Sequence, residues 1–172
     1  YPFRIEIPRA DCFGLALYSR LPFEGEPVID LGMGLPPVVI QKLALPGGQK
    51  VTFVLVHTLP PVSRGDFLTD KLIIRRLSTI LRHSTDNFIV AGDFNATPFS
   101  FLYRRFVDWT GVRNVAWGRG LERSWNAQNS FQRLTLDHLF IRGTPEVVSF
   151  RRLGDIGSDH FPFLVQIALS PK

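Results

Sequence analysis

Two polar side chains close an apolar run in the segment Asn87 to Pro98, NFIVAGDFNATP. Asp93 and Asn95 follow Phe88-Ile89-Val90-Ala91 and the break at Gly92. One carboxylate and one carboxamide, two residues apart on an extended turn, can reach the same phosphate or metal-associated water. Asp accepts and carries charge, whereas Asn can donate to an anionic oxygen. The same residues also suit an Asx turn that joins a strand to a helix. Three further groups share this placement. His57 ends the run Val51 to Val56, Asp137 is embedded in LTLDHLFI, and Asp159-His160 follows Gly157-Ser158. An Asp inside an apolar strand is unfavourable unless it is paired. A carboxylate against an imidazole holds one ring nitrogen protonated and leaves the other free to accept a proton. As a set, these residues suit metal-assisted hydrolysis of a phosphate ester. A hard cation such as Mg²⁺ keeps several waters and needs only one or two protein carboxylates.

The elements that must position these groups are legible in outline. Residues 1 to 10 show little pattern. Phe13 to Tyr18 reads as a buried strand, and the Gly- and Pro-rich residues 22 to 37 read as loop. Val38 to Leu45 and Lys50 to Val56 form a hairpin about Pro46-Gly47-Gly48-Gln49. Ser63 caps a helix running to about Arg82, with Leu72, Ile73, Leu77, Ile80 and Leu81 as its apolar stripe. Lys71, Arg75, Arg76 and Arg82 fall mostly off that stripe, as a solvated face does. His83 lies beyond the helix end, where it is structural or exposed.

Residues 88 to 91 are a strand buried on both faces, and polar groups past such a strand sit where open α/β sheets place ligands. Thr97-Pro98 reads as the next helix start, with Phe99, Leu102, Tyr103 and Phe106 as core. Residues 110 to 134 are irregular, aromatic and basic, a composition that suits either substrate contact or cover for a sheet end. Leu134 to Ile141, Glu146 to Arg152 and Phe163 to Leu169 read as strands, and His138 as a packing residue.

The chain has 172 residues, 45% hydrophobic and 20% charged, which is the composition of one globular domain with a real core. Twenty Lys and Arg against 15 Asp and Glu leave a net charge of +5. That excess suits a polyanionic substrate, an anionic membrane surface or simply a basic solvated surface. The single Cys12 excludes an internal disulfide framework and a multi-cysteine metal site. No apolar stretch is long enough to span a bilayer. The chain begins at Tyr1 rather than Met, as a processed protein would.

Gly92-Asp93-Phe94-Asn95, Leu136-Asp137-His138 and Gly157-Ser158-Asp159-His160 resemble the three C-terminal motifs of the endonuclease/exonuclease/phosphatase superfamily. Tyr18-Ser19-Arg20-Leu21-Pro22 resembles its SR-x-P strand end, and Val56-His57-Thr58 its histidine strand. Order and spacing agree from about Phe13 to Leu169. The resemblance implies a deoxyribonuclease I-like α/β fold, a two-sheet β-sandwich flanked by helices. It implies Asp159 as a metal ligand for Mg²⁺ or Mn²⁺, His160 as general base and Asp137 as the group that orients it. Asp93 and Asn95 would bind phosphate and the nucleophile or leaving group. His57 would donate to a phosphate or leaving oxygen, and Arg20 would join Asn95 in substrate binding.

The motifs that precede the SR segment in that superfamily, an Asn and a metal-binding Glu, have no counterpart here, because Glu6 stands in the unrelated context IEIP. The expectation is therefore an N-terminally incomplete domain over residues 1–172, the C-terminal two-thirds of the family domain, with activity weakened by the absent Glu. Either the chain is clipped, or another segment or a second copy of the chain supplies that part. His57 groups the chain with two-histidine members, and the wording around it resembles a bacterial subgroup anchored by upstream transmembrane helices and facing away from the cytoplasm. The expected substrate is a phosphate ester, either nucleic acid or a phospholipid or lipid-linked phosphate. The alternative is a non-catalytic module of the same fold that binds phosphorylated lipid, nucleic acid or a protein.

Overall fold

The computed structural model describes residues 1–84, 86–120 and 122–169. Along the chain run β1 (Phe3–Ile7), β2 (Leu15–Ser19), β3 (Phe23–Val28), β4 (Val38–Ala44), β5 (Lys50–His57) and α1 (Arg64–Arg82). They are followed by β6 (Phe88–Asp93), α2 (Phe101–Thr110), β7 (Arg113–Asn114), β8 (Asp137–Arg142), β9 (Pro145–Arg152) and β10 (Phe163–Leu169).

A six-stranded sheet in the order β3-β4-β5-β6-β8-β7 forms the centre. Its parallel pair, β5 and β6, is joined by α1, as a parallel connection requires. Alternation along the strands divides the core between its two faces. Val54, Val56, Val90 and Phe140 pack with Ile73, Ile74 and Leu77 of α1 and Phe106 of α2. Val51, Ile89 and Ile141 turn the other way, where Val147, Phe150, Val165 and Ile167 of β9 and β10 pack against them. The second layer consists of two antiparallel ladders, β1-β2 and β9-β10. The fold is thus the mixed α/β sandwich expected, with the helices on one face of the central sheet. No helix among the described residues is long and apolar enough to cross a membrane.

Several local expectations change. Residues 22 to 37 are not all loop, because β3 pairs with β4 at the sheet edge. The Gln41 amide donates to the carbonyls of Glu24 and Gly25 across a register shift, and an edge position tolerates Pro27. Residues 3–7 also pair, with β2. The second helix starts after Ser100 rather than at Thr97, since Ser100 Oγ accepts from Tyr103 N at 3.2 Å. Thr97 instead accepts from Ser100 N in a turn, which leaves Phe99 72% exposed and outside the core. Ile80 is exposed too. Ser63 caps α1 as expected, accepting from Asp66 N.

Candidate active site

Strand register builds the first part of the site. His57 of β5 pairs with Asp93 of β6, and Asp93 pairs with Asp137 of β8. Partners on neighbouring strands share a face, so three ionisable side chains form one row across three strands. Gly92 permits the close approach of β5 and β6. Its φ is +146°, and a Cβ there would overlap the Val56 carbonyl oxygen at 1.8 Å.

The turn after β6 is fastened by its own polar groups. Asp93 Oδ1 accepts from Asn95 N at 2.8 Å, the Asx turn that the spacing allowed. Asn95 Nδ2 donates to the Thr58 carbonyl at 2.7 Å, tying the ends of β5 and β6 together. This leaves Asp93 Oδ2 facing two imidazoles, 3.7 Å from His57 Nε2 and 3.8 Å from His160 Nε2. His57 also packs against Phe13, with ring centroids 5.0 Å apart.

His160 comes from the loop before β10. Its Nδ1 lies 2.7 Å from Asp137 Oδ2, so the carboxylate holds the proton on Nδ1 and directs Nε2 into the cleft. That hydrogen bond is also the main reason its pKa is raised above the ordinary histidine value, with burial opposing. Burial, and then the charge of Asp137, raise the Asp93 carboxyl. Asp159 is more open, with its side chain 59% exposed and its Oδ2 4.0 Å from His160 Nε2. It accepts from Trp125 Nε1 at 3.3 Å.

His57, Asp93, Asn95, Asp137, Asp159 and His160 therefore line one cleft of about 1220 Å³. Arg20 does not line it. Its guanidinium is exposed at the end of β2, 5.6 Å from the Tyr1 ring centroid. Glu6 is also elsewhere, accepting from the Tyr18 hydroxyl on the β1-β2 ladder.

Asp93, Asp137 and His160 each offer one ligand atom, all within 4.8 Å of one another. This donor set fits a divalent cation. Two facing carboxylates are partly desolvated, and no lysine or arginine lines the cleft among the described residues.

Two supporting residues escape sequence reasoning. Ser124 is fully buried, and its hydroxyl accepts from the backbone N–H groups of Leu136 and Asp137. Its carbonyl accepts from Phe161 N, so one residue pins both the Asp137 and the His160 segments. Nothing in the local sequence marks it. Asp70 on α1 is 3% exposed and accepts from Leu59 N at 2.8 Å, holding the turn after His57. Burial pushes its carboxyl up to about 7. A signal for it exists: Asp70 shares the buried stripe of Ile73, Ile74, Leu77 and Leu81, where a carboxylate needs a partner.

His138, next to Asp137, faces the helices instead. It is 4% exposed and packs against Phe94, Tyr103 and Phe140. Its Nε2 lies 2.7 Å from the Ala96 carbonyl and its Nδ1 3.2 Å from Asn114 Nδ2, so it is more than a packing residue. Burial lowers its pKa to about 4 and keeps it neutral.

Comparison with known proteins agrees with this architecture. The chain resembles an endonuclease/exonuclease/phosphatase from Beutenbergia cavernae at a TM-score of 0.74 and 18% identity, over 91% of this chain and 47% of that one. It resembles the human Nocturnin catalytic domain with bound sulfate at a TM-score of 0.70 and 19% identity, covering 98% and 72%. It also resembles D. rerio TDP2 complexed with single-strand DNA product, at 0.74 and 17%, covering 96% and 76%. The chain thus spans about half the length of the Beutenbergia protein, and at these identities the likeness is one of fold. No curated protein matches the sequence. The profile of the Endonuclease/Exonuclease/phosphatase family matches residues 12–160, a span that contains every residue of the row and both ends of the Asp137–His160 pair. The chain belongs to the Endonuclease/Exonuclease/phosphatase family.

Proposed function

We propose that this chain hydrolyses phosphate esters with the help of a divalent cation, and that the Asp137–His160 pair supplies its general base. The observation that carries this reading is the 2.7 Å contact between His160 Nδ1 and Asp137 Oδ2, with Nε2 turned toward Asp93. A purely binding surface has no use for an imidazole oriented in this way.

Nε2 of His160 takes the proton of the attacking water, and Asp137 holds the tautomer and stabilises the imidazolium that forms. His57 Nε2 faces the same Asp93 oxygen from the other side and donates to a phosphate or leaving-group oxygen. Asn95 uses one amide hydrogen on Thr58 and keeps the second for the phosphate. Asp93 and Asp137 would hold the cation, with Asp159, whose Oδ2 lies 4.0 Å from His160 Nε2, as a further ligand from the open side; the cation would neutralise phosphate charge and increase the acidity of water. Mg²⁺ or Mn²⁺ suits such oxygen donors.

The test is release of nitrophenol from bis-(4-nitrophenyl) phosphate with Mg²⁺, with Mn²⁺ and with a chelator. Turnover that requires the cation supports the proposal. Phosphate-ester binding without turnover under any of these conditions would support a binding module of the same fold.

A further inference from the structure

Resting on the hydrolase reading above, we infer that the substrate is a phosphate ester of an aliphatic alcohol, the chemistry of a lipid phosphate, rather than a nucleic acid strand. The inference comes from what lines the cleft outside the reacting groups. Its carboxylates are Asp11, Asp70, Asp93, Asp137 and Asp159, and no lysine or arginine lines it among the described residues. Arg9 pairs with Asp11 at the rim, and among the described cleft residues Asp93, Asp137 and Asp159 face only the imidazoles of His57 and His160. A nucleic acid strand presents a phosphate at every residue and depends on Lys and Arg to neutralise them. Only the reacting phosphate could be neutralised here, by one cation. The next phosphate along a strand would meet no lysine or arginine among the described cleft residues, only acidic, apolar and a few neutral polar side chains such as Thr97 and Ser100.

Of the described cations, Arg9 stands at the rim and Arg105 lies over the ring of Phe101, 5.1 Å from its centroid, while several others lie away from the cleft. Lys71, Arg75 and Arg82 are exposed on α1, and Arg104 on α2, none of them among the cleft-lining residues.

One wall of the cleft is instead apolar. Pro60, Pro61, Val62 and Phe67 come from the β5–α1 turn and the first turn of α1, and Phe101 and Leu102 from the start of α2. Val62 is 85% exposed, Phe101 50% and Phe67 37%. These large apolar groups stand open to solvent beside the reacting cluster, where a ligand chain would cover them. Such a patch marks a site for an apolar ligand group. An ester with a single charged phosphate and an aliphatic tail matches both halves of the cleft, the phosphate against His57, Asn95 and His160 and the tail along the apolar wall.

The test uses 4-nitrophenyl alkyl phosphate diesters, with methyl to hexyl chains and one leaving group, assayed with Mg²⁺ below micellar concentrations. The hexyl ester is expected to exceed the methyl ester in kcat/KM by at least about tenfold, given the gain from burying each methylene. Phe101→Ser should shrink that ratio. Trp117→Ser, at an exposed aromatic outside the cleft, should leave it unchanged. The 4-nitrophenyl ester of thymidylate and a single-stranded oligonucleotide should be poorer substrates than the hexyl ester. Calorimetric binding of hexylphosphonate against methylphosphonate reads the same preference without turnover. A chain-length ratio near one, or faster cleavage of the oligonucleotide, overturns this inference and leaves the hydrolase reading standing. Chain-length-dependent binding without hydrolysis of any ester, bis-(4-nitrophenyl) phosphate included, overturns the hydrolase reading and, with it, the substrate claim, leaving the alkyl phosphate as a bound ligand.

Discussion

The cleft edge and the helix-side core beneath it each hold one histidine tied to the same stretch of β8. His160 bonds to the Asp137 side chain, and His138 is its neighbour in sequence. The first faces the cleft, and its carboxylate partner raises its pKa. The second is buried between Ala96 and Asn114, and burial lowers its pKa to about 4. One strand therefore supports a cleft-facing imidazole held by a carboxylate on one side and a neutral structural imidazole on the other. Adjacency in sequence does not assign the role. What assigns it is which face of the sheet the side chain leaves and whether a carboxylate or a carbonyl meets it.

The largest expected effect that would break this contrast comes from Asp137→Asn. That change removes the partner that holds the His160 proton on Nδ1, so kcat/KM for bis-(4-nitrophenyl) phosphate should fall by about 10²- to 10⁴-fold. A fall under threefold would mean that the pair is only structural.

The second prediction concerns acid. His138 is harder to protonate in the folded state than in the unfolded chain, so below the unfolded pKa the unfolded state binds the extra proton. Stability should therefore decline as pH drops from about 6.5 through about 4, by about 3 kcal/mol from this residue. Denaturant unfolding at stepped pH measures it, and His138→Asn should lack that component of the slope. His160 works in the opposite sense, because its raised pKa adds stability at low pH that is lost as pH rises through the folded value.

A smaller effect is expected from Ser124→Ala, which leaves the N–H groups of Leu136 and Asp137 without their acceptor. It should cost about 1–3 kcal/mol in denaturant unfolding. Smallest of all, Phe99→Ser should change stability by no more than about 0.5 kcal/mol, because the side chain is exposed.

Phe99 also shows where sequence reasoning stops. Helical spacing put it with Leu102, Tyr103 and Phe106, but the helix begins only after Ser100, so the phase that would bury Phe99 never applies. Helix starts are set by the cap whose side chain finds its N–H, and here that is Ser100, three residues beyond the expected Thr97. The edge strand Phe23–Val28 was hidden for a related reason. Glycine and proline argue for loop, and the Gln41 amide that holds the strand comes from 16 and 17 residues further on. By contrast, Phe163–Leu169 and the Ser63 cap were legible because the signals are local: an apolar run, and a serine before an amphipathic stripe. The polar groups of the cleft were visible because they close or interrupt apolar runs, as His57, Asp93 and Asp137 do, or follow a Gly-Ser turn signal, as Asp159 and His160 do. Ser124 was not, because its partners are 12 and 13 residues away and leave no local pattern.

The most direct measurement is the rate of nitrophenol release from bis-(4-nitrophenyl) phosphate with Mg²⁺, wild type against His160→Ala, with the folded fraction of each set by circular dichroism. The account predicts cation-dependent turnover in the wild type and a loss of about 10²-fold or more in a folded His160→Ala protein. Equal rates in the two proteins would contradict it, and so would cation-independent turnover.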